Sequence, residues 1–311
     1  MYWESVMGLF FRISAAIAVA GCVALDALAQ TYAARAVEVE RLIGAVRVVG
    51  HAEAGVQVKI SGSAQPAYLP VVRLEGGTVK IDGGQSLKDV SCRSDARGMI
   101  VKHRGWVQAH PISRFPVVTI YAPDDVALRI RRSMVTGSTG RLGEAHIEMT
   151  GCGHLDVAGV TGRLDLASAG SGSAKIGPVG EAEVGIAGSG AIELARVGGS
   201  LRGGIAGSGT LTAGAVGGAE LSVAGSGSIE IVRVEGPVEV SVAGSGSVQI
   251  EAGRATSFHA STFGSGDLVF GGIAVDPDVV TFGSGSVQIG AVEGRLNQSK
   301  EGVGSVRIGG R

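Results

Sequence analysis

Residues 223–250 read VAGSGSIEIVRVEGPVEVSVAGSGSVQI, a stretch that restates itself after 19 residues. The same Gly-Ser-Gly recurs with its serine at Ser171, Ser189, Ser208, Ser226, Ser245, Ser265 and Ser284, at intervals of 18 to 20 residues. Degenerate copies, Gly151-Cys152-Gly153 and Gly302-Val303-Gly304, stand 19 residues beyond either end, so nine copies span about residues 145–311. A fixed period of this length marks a solenoid.

The residues that follow each serine say which kind. Three places on stand Leu155, Ala174, Ile192, Leu211, Ile229, Val248, Leu268, Val287 and Val306; five places on stand Val157, Ile176, Leu194, Ala213, Ile231, Ile250, Phe270, Ile289 and Ile308. Between them lie mostly polar residues, among them Asp156, Lys175, Glu193, Glu230, Gln249 and Gln288. Alternation with period two is a strand with one face in and one face out. A second strand precedes the serine, with Val184 and Ile186, Leu221 and Val223, and Val240 and Val242 turned inward. Coils of this kind stack as parallel strands about 4.8 Å apart. The chain is therefore predicted to be all-β: a parallel β-helix (β-solenoid), right-handed, of about nine 18–20-residue coils, preceded by a less regular β region.

At each corner the glycines allow a sharp bend with positive φ. The serines are expected to satisfy backbone groups there, with a hydroxyl-rich stripe for a partner as the alternative. In two coils the residue before the first glycine changes from Ala to Phe263 and Phe282, while the preceding residue shrinks to Thr262 and Thr281. Exchange of volume in a packed core is one reading, and it predicts buried, stacked phenylalanines; an exposed aromatic patch is the other. Gln298, Lys300 and Val303 break the pattern in the last coil, as a cap over open strand edges requires.

Upstream, segments such as GVQVKISG and GGTVKIDG alternate like strands between glycine turns, and FPVVTIYAPDDVALRIRRS reads as two strands flanking APDD. The division expected is residues 1–29 as a signal peptide, 37–130 as an N-terminal β region or irregular first coils, and 131–311 as the repetitive β-helix. Arg12 precedes an apolar run of 13 residues, short for a membrane span of about 20. Ala27-Leu28-Ala29 matches a small-x-small cleavage site. Val19-Ala20-Gly21-Cys22 matches a bacterial lipobox, which would instead place a lipid anchor at Cys22. Both routes export the protein, as would an uncleaved anchor, the remaining reading; after signal removal no transmembrane domain is expected. The expected location is the periplasm, the outer membrane surface or the medium. Cys92 and Cys152 allow one bridge, and the plainer expectation is two unpaired thiols, with Cys152 standing in for a corner serine.

Composition excludes several functions. There are 53 glycines and only 4% aromatics, with 45% hydrophobic residues to fill a core. Lys and Arg number 27 against 28 acids, so no nucleic-acid partner is expected. Calcium-binding repeats need Gly-Gly-x-Gly-x-Asp in register, and only Asp267 directly follows a Gly-Ser-Gly. His51, His103, His110, His146, His154 and His259 lack tight metal spacing. No catalytic, cofactor-binding or metal-binding residues are singled out, and no cofactor is expected.

The exported N-terminus, the lead-in VTIYAPDDVALRI at 118–130 and the repeated AGSGS coils resemble the bacterial GIN-domain family over roughly residues 37–311. That family is described as the head of autotransporter adhesins and catalogued as a domain of unknown function. The resemblance implies a parallel β-helix at the cell envelope and brings no catalytic residues. The function expected is that of an exported, non-enzymatic β-helix protein of the bacterial envelope, an adhesin or a surface or periplasmic interaction module, with an envelope or surface ligand (protein or glycan) as partner. The alternative is a β-helix enzyme acting on polysaccharide, which needs paired carboxylates in a groove. The acids on the strand after the serine, Asp156, Glu193 and Glu230, are scattered instead.

Overall fold

The computed structural model describes residues 30–62, 69–95 and 98–309. The cleavage site and Cys22 lie outside the described residues. The chain forms a β-solenoid of about 10 turns of ~19 residues, one more than the Gly-Ser-Gly copies alone mark. The extra turn comes from Ala127–Leu142, which already pairs in parallel with Glu144–Gly151 and His154–Gly170.

Successive coils, among them Ala191–Gly207, Thr210–Gly225 and Ser228–Gly244, pair in parallel through both of their straight stretches. The register keeps each inward column intact: Ile192 faces Leu211, Leu211 faces Ile229, and Ile229 faces Val248. From Leu155 to Val287 and from Val157 to Ile289, every member of the two columns is at most 4% exposed. These columns join the one before the serine in a single apolar core running from Ala34 to Ile289.

The two corner glycines are needed for different reasons. The first takes positive φ in each coil, +129° at Gly207 and +123° at Gly225, where a side chain is strained. The second, as at Gly209, has ordinary φ, but a Cβ there would lie 2.8 Å from the Gly190 carbonyl of the coil below. Between them the serine N–H donates to that coil's first glycine, Ser226 to Gly207 at 2.9 Å and Ser245 to Gly225 at 2.9 Å. Satisfaction of the bend is thus main-chain work. The corner hydroxyls themselves point outward.

Phe263 and Phe282 do stack, with centroids 5.2 Å apart and planes 7° from parallel. They are 47% and 36% exposed, however, so the expectation of buried rings is corrected. Neighbours in a strand point to opposite faces. With Thr262 and Thr281 turned into the core, the phenylalanines beside them must face out. The stacked aromatic pair of the core is Phe258 with Phe270, both fully buried. The Thr262 and Thr281 hydroxyls are buried with no hydrogen-bond partner, in a column that Val223 and Val242 occupy elsewhere. Each unsatisfied hydroxyl costs about 1–3 kcal/mol. Thr262→Val and Thr281→Val are therefore expected to raise stability by about 1 kcal/mol each in guanidinium melts; a loss would show that the hydroxyls find partners.

At the C-terminal end, Asn297–Gly302 is exposed at every residue, Val303 is 85% exposed and Ile308 46%. This last coil covers the core below it with polar side chains, as the cap reading expected. At the other end, Ala36–Glu40 and Ile43–Gly50 pair in parallel with Ala127–Leu142 and so continue the stack. Antiparallel strands then close it: Val56–Ser61 on Val117–Ala122, and Val71–Glu75 on Thr78–Asp82.

Between residues 82 and 117 the chain leaves the stack and forms a small antiparallel flap, Val90–Asp95, Gly98–His103 and His110–Pro111. The flap lies on a second core of Ile43, Met99, Val101, Phe115, Met134 and Cys152. Cys92 and Cys152 form a disulfide, which overturns the expectation of free thiols. Cys152 does occupy the serine's place at its corner. Where other corners face solvent, the flap covers this one, leaving Cys152 only 4% exposed.

Candidate binding face

Stacking in register turns any residue at a fixed offset from the corner into a row. Six residues before the corner centres, the outward positions are His146, Asp165, Glu183, Arg202, Glu220, Glu239, His259, Asp278 and Asn297, each in register with the next. Arg129, Glu38 and Lys80 extend the row toward the N-terminal end. Adjacent side chains in such a row stand about 4.8 Å apart at the backbone, close enough to pair or repel. Arg202 Nε donates to Glu220 at 2.7 Å, and Arg163 pairs with Glu183. Glu220 and Glu239 are like-charged neighbours, and Glu239 borders His259.

Two further rows lie toward the corner on the same face. Four residues before the centre stand Ala167, Gly185, Gly204, Ser222, Ser241 and Ser261. Two residues before it stand the exposed alanines that give way to Phe263 and Phe282. Small side chains make a floor, and the charged row makes one wall of a shallow trough of about 460 Å³ running from Asp165 to Glu239. At Gly185 an added side chain would meet nothing within 4 Å. That glycine is not required by the fold, and its absent side chain keeps the trough open.

His146 stands at one end with both ring nitrogens engaged, Nδ1 2.8 Å from Asp165 and Nε2 3.3 Å from Glu148. Both ring nitrogens are thus turned to carboxylates of the chain itself rather than to the open trough. Glu148 is held below the usual carboxylate range: partial burial opposes ionisation, and the His146 contact, the Arg132 N–H and the charge of Arg131 outweigh it. A glycosidase-type general acid must instead stay protonated near neutrality, through burial or a close like charge. Glu220, beside Glu239, is more than half exposed and tied to Arg202. The wall is built of ion pairs in solvent. Among the described residues no cluster of three or more His, Cys, Asp or Glu is placed to hold a metal ion.

The acids seen from sequence, Asp156, Glu193 and Glu230, line up on a different side, the strand after the corner. There Asp156 lies 3.3 Å from His154 and Glu193 3.2 Å from Lys175. The row six residues before the corner was missed, although its constant offset could have found it.

No family model matches this sequence, and no curated protein is significantly similar to it. Several solved structures resemble the chain over most of its length. A "putative lipid binding protein" from Parabacteroides distasonis is 19% identical, with 90% of this chain and 94% of that one covered and a TM-score of 0.47. A "putative adhesin" from the same organism is 13% identical, covering 90% and 94%, at a TM-score of 0.44. A "putative adhesin" from Bacteroides fragilis is 16% identical, covering 90% and 96%, at 0.33. At these scores they lend no argument about what this chain does.

Proposed function

We propose that this chain is an exported, non-enzymatic β-solenoid of the bacterial envelope that binds an extended surface ligand, protein or glycan, along its outward face, as an adhesin or interaction module. The observation that carries this reading is the trough: rows of aligned side chains, in register over several coils, around an open floor of small residues. Contacts spread along such a face favour an elongated partner. The Cys92–Cys152 disulfide supports export, because such bridges persist in oxidising compartments. In this reading residues 1–29 are removed as a signal peptide or leave a lipid at Cys22, 37–130 form the N-terminal β region, and 131–311 carry the face. The family resemblance of the coils agrees with that placement.

The test is binding of the purified protein to bacterial envelope preparations. Gly185→Tyr fills the trough without touching the backbone stack, and should weaken binding at least tenfold with the fold intact. Glu183→Lys, Glu220→Lys and Glu239→Lys together should do the same, whereas Glu239→Ala alone should change it less than about threefold. Unchanged binding by Gly185→Tyr would remove the trough from the reading. A single Asp or Glu substitution that abolishes a measurable polysaccharide cleavage, on an intact fold, would make the chain an enzyme, since losing a catalytic acid costs about 10²–10⁴ in rate. Residues 1–29 found intact on a cytoplasmic native protein would remove export.

A further inference from the structure

The flap differs from the rest of the chain in charge. Residues 84–115 hold six Lys and Arg against two Asp, leaving 21 against 26 for the rest of the sequence. The flap's geometry sorts these charges. Cys92 and Val101 pair across the flap's first two strands and face the solenoid, through the disulfide and the second core respectively. Arg93 and Lys102, one residue along, therefore point away from it, and both are exposed. At the turn that follows, the Arg104 side chain is 84% exposed, with Asp89 3.6 Å from it. Val107, at the tip, is 95% exposed. Behind the tip, Trp106 packs among His103, His110 and Phe115, with centroids 5.3 to 6.0 Å away. That ring cluster packs the turn against the flap, and the disulfide ties the flap to the solenoid.

We propose that the flap docks this protein onto an anionic bilayer surface, with Arg93, Lys102 and Arg104 over lipid phosphates and Val107 entering the headgroup layer. Basic residues near an anionic membrane each strengthen partition roughly fivefold, and the attraction fades within a Debye length. An exposed apolar residue on the same small flap as exposed cations suits an interface that offers both phosphates and an apolar layer. A soluble polyanion would satisfy the cations but give Val107 nothing to bury in. None of the trough residues takes part, so this docking stands apart from the proposed ligand face.

The experiment compares co-sedimentation of the full chain with vesicles of one part phosphatidylglycerol to three parts phosphatidylcholine and with phosphatidylcholine alone. The ratio cancels any pull from the apolar run at residues 13–25, which acts on both. The expected ratio is at least tenfold at about 0.1 M salt, falling toward one at about 1 M. The pair Lys102→Glu and Arg104→Glu should lower it at least tenfold, and the milder pair Lys102→Gln and Arg104→Gln about half as far on a logarithmic scale, with circular dichroism unchanged. Val107→Asp should lower anionic-vesicle binding while leaving capture on dextran sulfate beads as it was. A ratio near one in the wild type, or one unmoved by both charge variants, overturns the proposal. Capture on dextran sulfate without vesicle binding overturns it too, and makes the flap a polyanion site.

Discussion

Ile231→Asp is expected to lower stability by at least about 4 kcal/mol, while Glu230→Ala, one residue away, should stay within about ±0.5 kcal/mol. Ile231 is 1% exposed and stacks between Ala213 and Ile250 in its column. The substitution forfeits about 2–3 kcal/mol of apolar burial and places a carboxylate where no cation can reach it, so the group must be protonated or dragged to water. Glu230 faces solvent on the opposite side of the same strand. The damage should also be local. Each coil touches mainly its two neighbours, so a broken coil loosens the adjacent ones and leaves distant coils folded. Hydrogen exchange should show lost protection around residues 210–250 while the flap and first coils keep theirs. Ile231→Val, which keeps the column apolar, should cost only about 0.5–1.5 kcal/mol. Equal effects at residues 230 and 231 would mean that the two faces of the strand are misassigned.

That expectation could be written from sequence alone because a stacked coil repeats its environment. The parity that placed Ile231 inward also placed Ile192, Leu211 and Val248, and the core bears all of them out. The same parity, followed strictly, would have put Phe263 outside. Thr262 is three residues before its serine, like the buried Val223 and Val242, so its neighbour had to face solvent. Judging the two residues by volume overrode their alternation, and the alternation was right. The charged row was equally legible, since His146, Asp165, Glu183, Arg202 and Glu220 share one offset from their corners. Its members are polar and mixed in charge, so the apolar period that marks the core does not mark them. The flap is another matter. Its strands obey no repeat, and its seat at the Cys152 corner is a tertiary contact that periodicity does not encode. The Cys92–Cys152 pairing follows from that seat.

Removing the disulfide, by Cys92→Ser with Cys152→Ser or by reduction of the wild type, is expected to cost about 4 kcal/mol, from the loop-closure entropy of a 60-residue separation. The native contacts beneath the bridge are few. The flap's own core has six buried residues, and Ser94 adds a hydrogen bond of 3.0 Å to the Cys152 carbonyl. Such a patch holds a three-stranded flap weakly without a covalent tie, because small cores barely exceed the entropy of ordering their strands. The loss should therefore appear first as opening of residues 84–115 and exposure of Met134 and Ile43, which the flap covers. The coils beyond Gly170, which make no contact with it in the stacking order, should keep their hydrogen-exchange protection. Reductant should reproduce the variant's behaviour in the wild type and do nothing further to the variant. Two titratable thiols at Cys92 and Cys152 in the oxidised native protein, or unchanged flap protection after reduction, would show that apolar packing alone secures the flap. The vesicle binding assigned to the flap then supplies an independent reading of the same equilibrium: a flap that opens on reduction pays the ordering entropy on docking, so reduction should weaken the anionic preference without changing any charge.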